Sequence, residues 1–238
     1  MLRGVLFDLE KTLWTVDKDP AYQDQAKKQM AALAGWRTAQ DFCAMVEERF
    51  RRYREWAGAE RKEAGDFELW HTWLLPEMDE ARLRLVCYDL TARLRQTQGR
   101  RKVVPGGLRT VRALYDRGYR LGIVSNSVGE REVLGWLEEN GVKQYFEAVA
   151  VSSVCHIRKP DPAIYRLACG EMGLEPEECA SVSGGDFEGE MAAGIGIKIL
   201  FAGTVGQHRP DYVVGRFPEI LELPVLLQRN GGRGRCLC

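Results

Sequence analysis

The chain has 238 residues, enough for one sizeable domain or for a core with an insertion. Lys+Arg number 34 and Asp+Glu 34, so no net field draws the chain to nucleic acid or to an anionic membrane. No apolar stretch is long enough to span a bilayer and no leader-like apolar region precedes the first strand pattern, so a cytoplasmic protein without membrane or nucleic-acid partners is expected.

The run Val5-Leu6-Phe7 reads as a buried strand that stops at Asp8, with Glu10 two residues on and Thr12 two after that. A buried strand ending in a carboxylate projects it from the carboxyl edge of a sheet, where open α/β sheets bind ligands. Alone, the pattern equally describes an acid that caps the next helix.

Residues 17–99 change texture, being rich in Arg, Glu, Ala and Trp. Apolar periodicity predicts helices over 26–33, 41–56, 67–75 and 80–94, with Asp41 and Asp79 as N-caps and no strand. Trp36, Trp56, Trp70 and Trp73 are expected to fill a small helical core. Trp14, so close to Asp8 in sequence, is expected at a substrate entrance instead. Arg49, Arg51, Arg52 and Arg54 spread around one helix as a solvated face, from which one guanidinium could reach an anionic group.

From Lys102 onward strands and helices alternate. Strands are predicted over 121–124, 148–151, 181–183, 197–202 and 212–214, with helices over 108–117, 130–140 and 162–172. This order predicts an α/β fold: a doubly wound parallel-sheet (Rossmann-like) core with an inserted all-α helical cap. The expected boundaries are 1–16 and 100–222 for the core, 17–99 for the cap, and 223–238 for a flexible C-terminal tail ending in Cys236-Leu237-Cys238. The seven cysteines are scattered, with no CxxC pair, and read as reduced thiols.

The topology would gather further polar groups beside Asp8. Ser125, followed by Asn126, ends a core strand; Lys159 precedes a helix that Pro162 can open; Asp186 ends another strand, with Glu190 four residues on. Each has a plainer role available, as turn residue, surface lysine or helix cap. The four strand ends taken together favour a site.

The segments FDLEKTL, IVSNS, RKPDPAIY and GGDFEGE resemble the motifs of the haloacid dehalogenase (HAD) superfamily, in its branch with a helical cap inserted after the first strand. The resemblance implies a phosphatase acting on a small phosphorylated metabolite, with Asp8 as nucleophile and Glu10 in the general acid/base position. It implies Mg2+ on Asp8, Asp186 and the backbone carbonyl of Glu10, and phosphoryl oxygens held by Ser125, Asn126 and Lys159, with Thr12 supporting the first loop. Two departures stand out. Glu10 occupies a position where relatives usually carry Asp, and its extra methylene moves the carboxyl by a bond length. Glu190 replaces a frequent Asp on what reads as a shortened helix. Glu10 therefore leaves two alternatives open: a metal-independent 2-haloacid dehalogenase-like hydrolase, or a weakly active ligand-binding protein on the same fold.

Overall fold

The computed structural model describes residues 1–184 and 187–227. The central strand β1 (Gly4–Phe7) is buried along its whole length, as expected for a strand covered on both faces of a parallel sheet. Its side chains alternate between faces: Val5 and Phe7 enter one apolar cluster and Leu6 another. Next come β2 (Trp14–Asp17), α1 (Pro20–Ala34), α2 (Ala39–Glu60), α3 (Asp66–Glu68), a π-helical turn at Leu69–Leu74, and α4 (Glu80–Gln96). The chain then returns through β3 (Arg100–Val103) to α5 (Gly107–Asp116), β4 (Arg120–Ser125), α6 (Glu130–Glu139), β5 (Phe146–Val151) and α7 (Ser152–Cys155). It continues through α8 (Pro162–Glu171), β6 (Cys179–Ser183), α9 (Glu188–Ala193), β7 (Ile197–Phe201), β8 (Tyr212–Val214), α10 (Phe217–Ile220) and α11 (Pro224–Leu227).

Six strands form one sheet in the order β5-β4-β1-β6-β7-β8, every neighbouring pair parallel. The chain winds outward from β1 to β4 and β5, then crosses back to β6 and out to β8. The order therefore reverses around β1, and the carboxyl ends of β1, β4 and β6 border the resulting crevice. One face packs Val5, Phe7, Leu121 and Ile123 against α5, α6 and α10; the other packs Leu6 and Val124 against Ile164, Ala168 and Met172. The α/β fold is as predicted. No helix among the described residues is long and apolar enough to cross a membrane.

Helices α1, α2 and α4 enclose a separate apolar cluster of Met30, Phe42, Tyr53, Trp70 and Leu90, joined by Val128 from the sheet side. Proline and an aspartate set the start of α1: Pro20 fills its first turn and Asp19 accepts the Tyr22 N–H at 3.0 Å. Asp79 caps α4 as predicted, accepting from Arg82 N–H at 2.9 Å. The predicted cap at Asp41 is corrected: α2 starts at Ala39 behind Thr38, and Asp41 lies in its first turn, accepting the Thr38 hydroxyl at 2.6 Å.

Three further expectations change. Trp14 is not at an entrance; it is buried and packs edge-on against Trp136, 5.0 Å between ring centroids. The loop after β1 turns back at once, with Trp14 N–H donating to the Leu9 carbonyl, so closeness to Asp8 in sequence leads into the core. No strand was expected near 14–17, yet β2 and β3 form an antiparallel ribbon with Asp17 opposite Arg100. Its strands are short and polar, leaving no apolar run to read. Finally, the expected tail starts too early. In α11, Leu226 is buried against the sheet, and its carbonyl accepts from Arg117. The terminal Cys236 and Cys238 lie outside the described residues.

Candidate active site

Asp8 follows β1 at the crevice. Its N–H extends the ladder by donating to the Val182 carbonyl at 3.0 Å, which fixes the direction of its side chain. Oδ1 accepts the Leu9 N–H at 2.8 Å, and Oδ2 lies 2.7 Å from Lys159 Nζ, a charge-assisted pair left partly open to solvent. Lys159 is itself held at three points. Nζ donates to the Val124 carbonyl at 3.1 Å, while the Asn126 side-chain oxygen accepts the Lys159 N–H (2.8 Å) and its amide donates to the Lys159 carbonyl (3.1 Å). The predicted phosphate ligand Asn126 thus spends its side chain bracing Lys159. That is a second-layer job the sequence did not suggest.

Beneath this pair lies Glu190, only 2% exposed, with Oε2 lacking a partner among the described residues. Burial pushes its carboxyl above the usual range, against the opposing pull of the Lys159 ammonium and the Tyr165 hydroxyl. Tyr165 is pushed up in turn, by burial and by the carboxylates of Glu190 and Asp8. Tyr165 was missed from sequence, although it stands three residues after Pro162 on the first turns of α8, the face turned toward Asp8. The short α9 matches the truncation expected around Glu190.

Ser125 is the last residue of β4 and is nearly buried, opposite Val151 of β5. Thr12 is fully buried with Oγ1 unpartnered among the described residues; its N–H closes the turn onto the Leu9 carbonyl at 3.1 Å. Glu10 points elsewhere. Its half-exposed side chain faces a cleft of about 460 Å3 between the helices and the sheet edge, with Oε2 3.7 Å from Arg95 Nη2 at the end of α4. Arg95 also donates to Glu132 of α6 at 2.7 Å, and Arg101 of β3 approaches the other Glu132 oxygen at 2.8 Å. Lys18, Arg54 and Arg158 line the same cleft opposite Asn126 and Ser127. Of the arginines on α2, Arg49 pairs with Glu77, and Arg51 and Arg52 with Glu48. Arg54 is the one that reaches the cleft, resting over Phe50.

The donors available for a cation at this edge are oxygens: the Asp8 carboxylate and the carbonyls of the loop after it. Such a set suits Mg2+ rather than a thiophilic metal. Among the described residues no three acidic, histidine or cysteine side chains converge on one point. Asp186, the expected second carboxylate, lies outside the described residues.

The model of the haloacid dehalogenase-like hydrolases matches residues 2–196, and the chain belongs to that family of hydrolases. Among curated proteins it is similar to a pyrophosphatase, PpaX, of Bacillus pumilus, 28% identical over 123 residues, covering 49% of this chain and 56% of the relative. It is also similar to a glyceraldehyde 3-phosphate phosphatase of Pyrococcus furiosus, 30% identical over 142 residues, covering 54% of this chain and 56% of the relative. The matched region thus spans little more than half the length of these relatives. Among solved structures, a 2-haloacid dehalogenase from Pseudomonas syringae superposes with a TM-score of 0.64 at 18% identity, covering 95% of this chain and 98% of that one. At that identity the likeness is one of fold.

Proposed function

We propose that this chain is a Mg2+-dependent phosphatase that hydrolyses a small phosphate monoester through an aspartyl-phosphate on Asp8. One contact supports the reading above all: a carboxylate at the end of the central strand with a lysine ammonium 2.7 Å away, at the carboxyl edge of a parallel sheet. In the first step an Asp8 oxygen attacks phosphorus, the bond to the ester oxygen breaks, and that oxygen leaves with a proton from Glu10. In the second, Glu10 takes a proton from water as the water oxygen attacks the same phosphorus. Inorganic phosphate departs and the Asp8 carboxylate is restored. In this reading the Glu10 carboxylate turns from its 3.7 Å ion pair with Arg95 toward the ester oxygen.

Lys159 neutralises the phosphoryl oxygens, and the Ser125 hydroxyl with the backbone N–H groups that follow it holds them in place. Asp8, the Glu10 carbonyl and Asp186 would hold Mg2+, which would relieve the repulsion between nucleophile and phosphate. The helical segment 17–99 acts as the cap and selects the leaving group. Arg158 is matched by Glu63, and Arg95 by Glu132, whereas Lys18 and Arg54 face the cleft without a carboxylate partner among the described residues. A leaving group carrying its own negative charge fits that excess.

Hydrolysis of an aryl phosphate with and without Mg2+, by wild type, Asp8→Asn and Glu10→Asp, tests the reading. Metal-dependent turnover that falls at least about a thousandfold in Asp8→Asn is expected. Glu10→Asp is expected to turn over faster than wild type on this small ester. A second reading, attack of Asp8 on a halogen-bearing carbon, draws on the resting position of Glu10 against Arg95 rather than beside Asp8. Metal-independent halide release from a 2-haloacid, with no phosphate released, would replace the first reading with the second.

A further inference from the structure

Glu63, in the turn after α2, is the only carboxylate among the described residues whose side chain is wholly buried while bonded to both the helical segment and the sheet. Its Oε1 accepts the Tyr53 hydroxyl of α2 at 2.5 Å. Its Oε2 accepts the Ser152 hydroxyl, which follows β5, at 2.9 Å, and also the Arg158 guanidinium. The backbone follows the same seam. Arg158 N–H donates to the Arg61 carbonyl at 2.9 Å, Lys62 bridges Ile157 antiparallel, and His156 Nδ1 stands 3.1 Å from the Glu63 carbonyl. The Tyr53 hydroxyl also accepts from Ala64 N–H, and burial beside Glu63 pushes its pKa up, so it stays a donor.

Burying a carboxylate this completely is costly unless every partner is in place, and an apolar residue would fill the space at least as stably. What the charge adds is direction. Arg158 is the residue immediately before Lys159. Ser152 accepts the Ser127 N–H at 3.0 Å, one residue after Asn126, which clamps the Lys159 peptide. A single oxygen atom of Glu63 therefore touches both ends of the 152–159 segment that carries Lys159, and reaches the Asn126 loop only through the Ser152 hydroxyl.

We infer that Glu63 is a positioning residue: seated from the helical segment, its carboxylate holds the 152–159 loop and so adds to the sheet-side contacts that present Lys159 to Asp8. The inference rests on the phosphatase reading for its catalytic consequence. It does not rest on it for its structural one.

The test compares wild type, Glu63→Gln and Glu63→Asp in two measurements: amide hydrogen exchange and calorimetric titration with inorganic phosphate. In Glu63→Gln, exchange is expected to rise selectively in 125–127 and 152–159 while α5 and β7 amides stay at wild-type rates. Phosphate affinity is expected to fall about tenfold, with partial recovery in Glu63→Asp, which keeps the charge. Unchanged exchange in 152–159 with unchanged phosphate affinity would overturn the inference, as would an equal rise at every amide, which marks a merely structural role. Should Glu63→Gln fail to fold, Tyr53→Phe removes one bond from Oε1 and is read by the same two criteria. If wild type neither binds nor releases phosphate, the phosphatase reading has failed, and the exchange data still decide whether Glu63 holds the loop.

Discussion

At Gly189 a Cβ would sit 2.7 Å from the Tyr165 ring and 2.8 Å from the Pro160 carbonyl oxygen. The ring can turn aside, but the carbonyl is that of Pro160, the residue after Lys159, and cannot yield without moving the loop that carries Lys159. Gly189→Ala is therefore expected to cost stability, about 1–3 kcal/mol by overpacking, and to lower turnover disproportionately because Lys159 and Glu190 shift together. Urea denaturation beside kcat on an aryl phosphate checks this; a variant that loses stability with full turnover would separate the glycine from the site. The same residue-level view explains what sequence could and could not reveal here. The positions of Asp8 and Ser125 follow from the apolar runs that end their strands, whereas Lys159 does not end a strand but lies in the loop before α8, eight residues beyond β5. The bracing role of Asn126 and the burial of Trp14 were not legible, since each depends on which way a loop turns back after its strand.

Among the elements, α3 carries an unusual acid. Asp66 is nearly buried, and burial is the main force raising its pKa from 3.8 to about 6. Glu130 of α6 adds to the rise, while Thr91 of α4 and Arg131 of α6 oppose it. Between those two values the folded chain keeps a proton that the unfolded chain has released, so stability falls as pH rises from about 4 through about 6. Asp66→Asn is expected to remove this slope and to gain ~1–2 kcal/mol at pH 8. Urea melts of both proteins at pH 5 and pH 8 read the effect; equal stability of wild type at the two values, with no gain in the variant, would place the proton elsewhere. The helices were legible from their apolar spacing, and Asp79 caps α4 as expected, but Asp41 is not a cap and α1 begins at Pro20 behind Asp19, six residues before its expected start. The ribbon of β2 and β3 was the least legible. Its strands take their order from pairing with each other rather than from burial, so their sequences alternate weakly.

Across the whole molecule the cleft of about 460 Å3 draws its wall from both the helices and the sheet edge, so on the proposed reading a leaving group seated there would answer to both. Arg54 stands on α2, and on the proposed reading it would meet the leaving group rather than the phosphoryl group. Arg54→Met is expected to raise KM about tenfold for a phosphate ester bearing a carboxylate or second phosphate, the worth of one charge-assisted contact, and to leave an uncharged aryl ester nearly unchanged. Steady-state kinetics on the two substrates, repeated at higher salt, checks it. Equal effects on both would remove Arg54 from substrate recognition. This level of organisation was the least accessible from sequence, because the cleft exists only where α2 and α4 meet loops of the sheet that are far away along the chain.

The ribbon has a last consequence. Asp17 and Arg100 face each other across β2 and β3, so the chain leaves the sheet for the helices and comes back at neighbouring points. Seen from the sheet, everything between them is one oversized hairpin loop that two residues could close. A lineage can therefore exchange that loop for a different one without re-registering a single strand. Substrate preference would then be inherited with that loop, together with whatever carboxylate takes the place of Glu63 in holding the Lys159 segment.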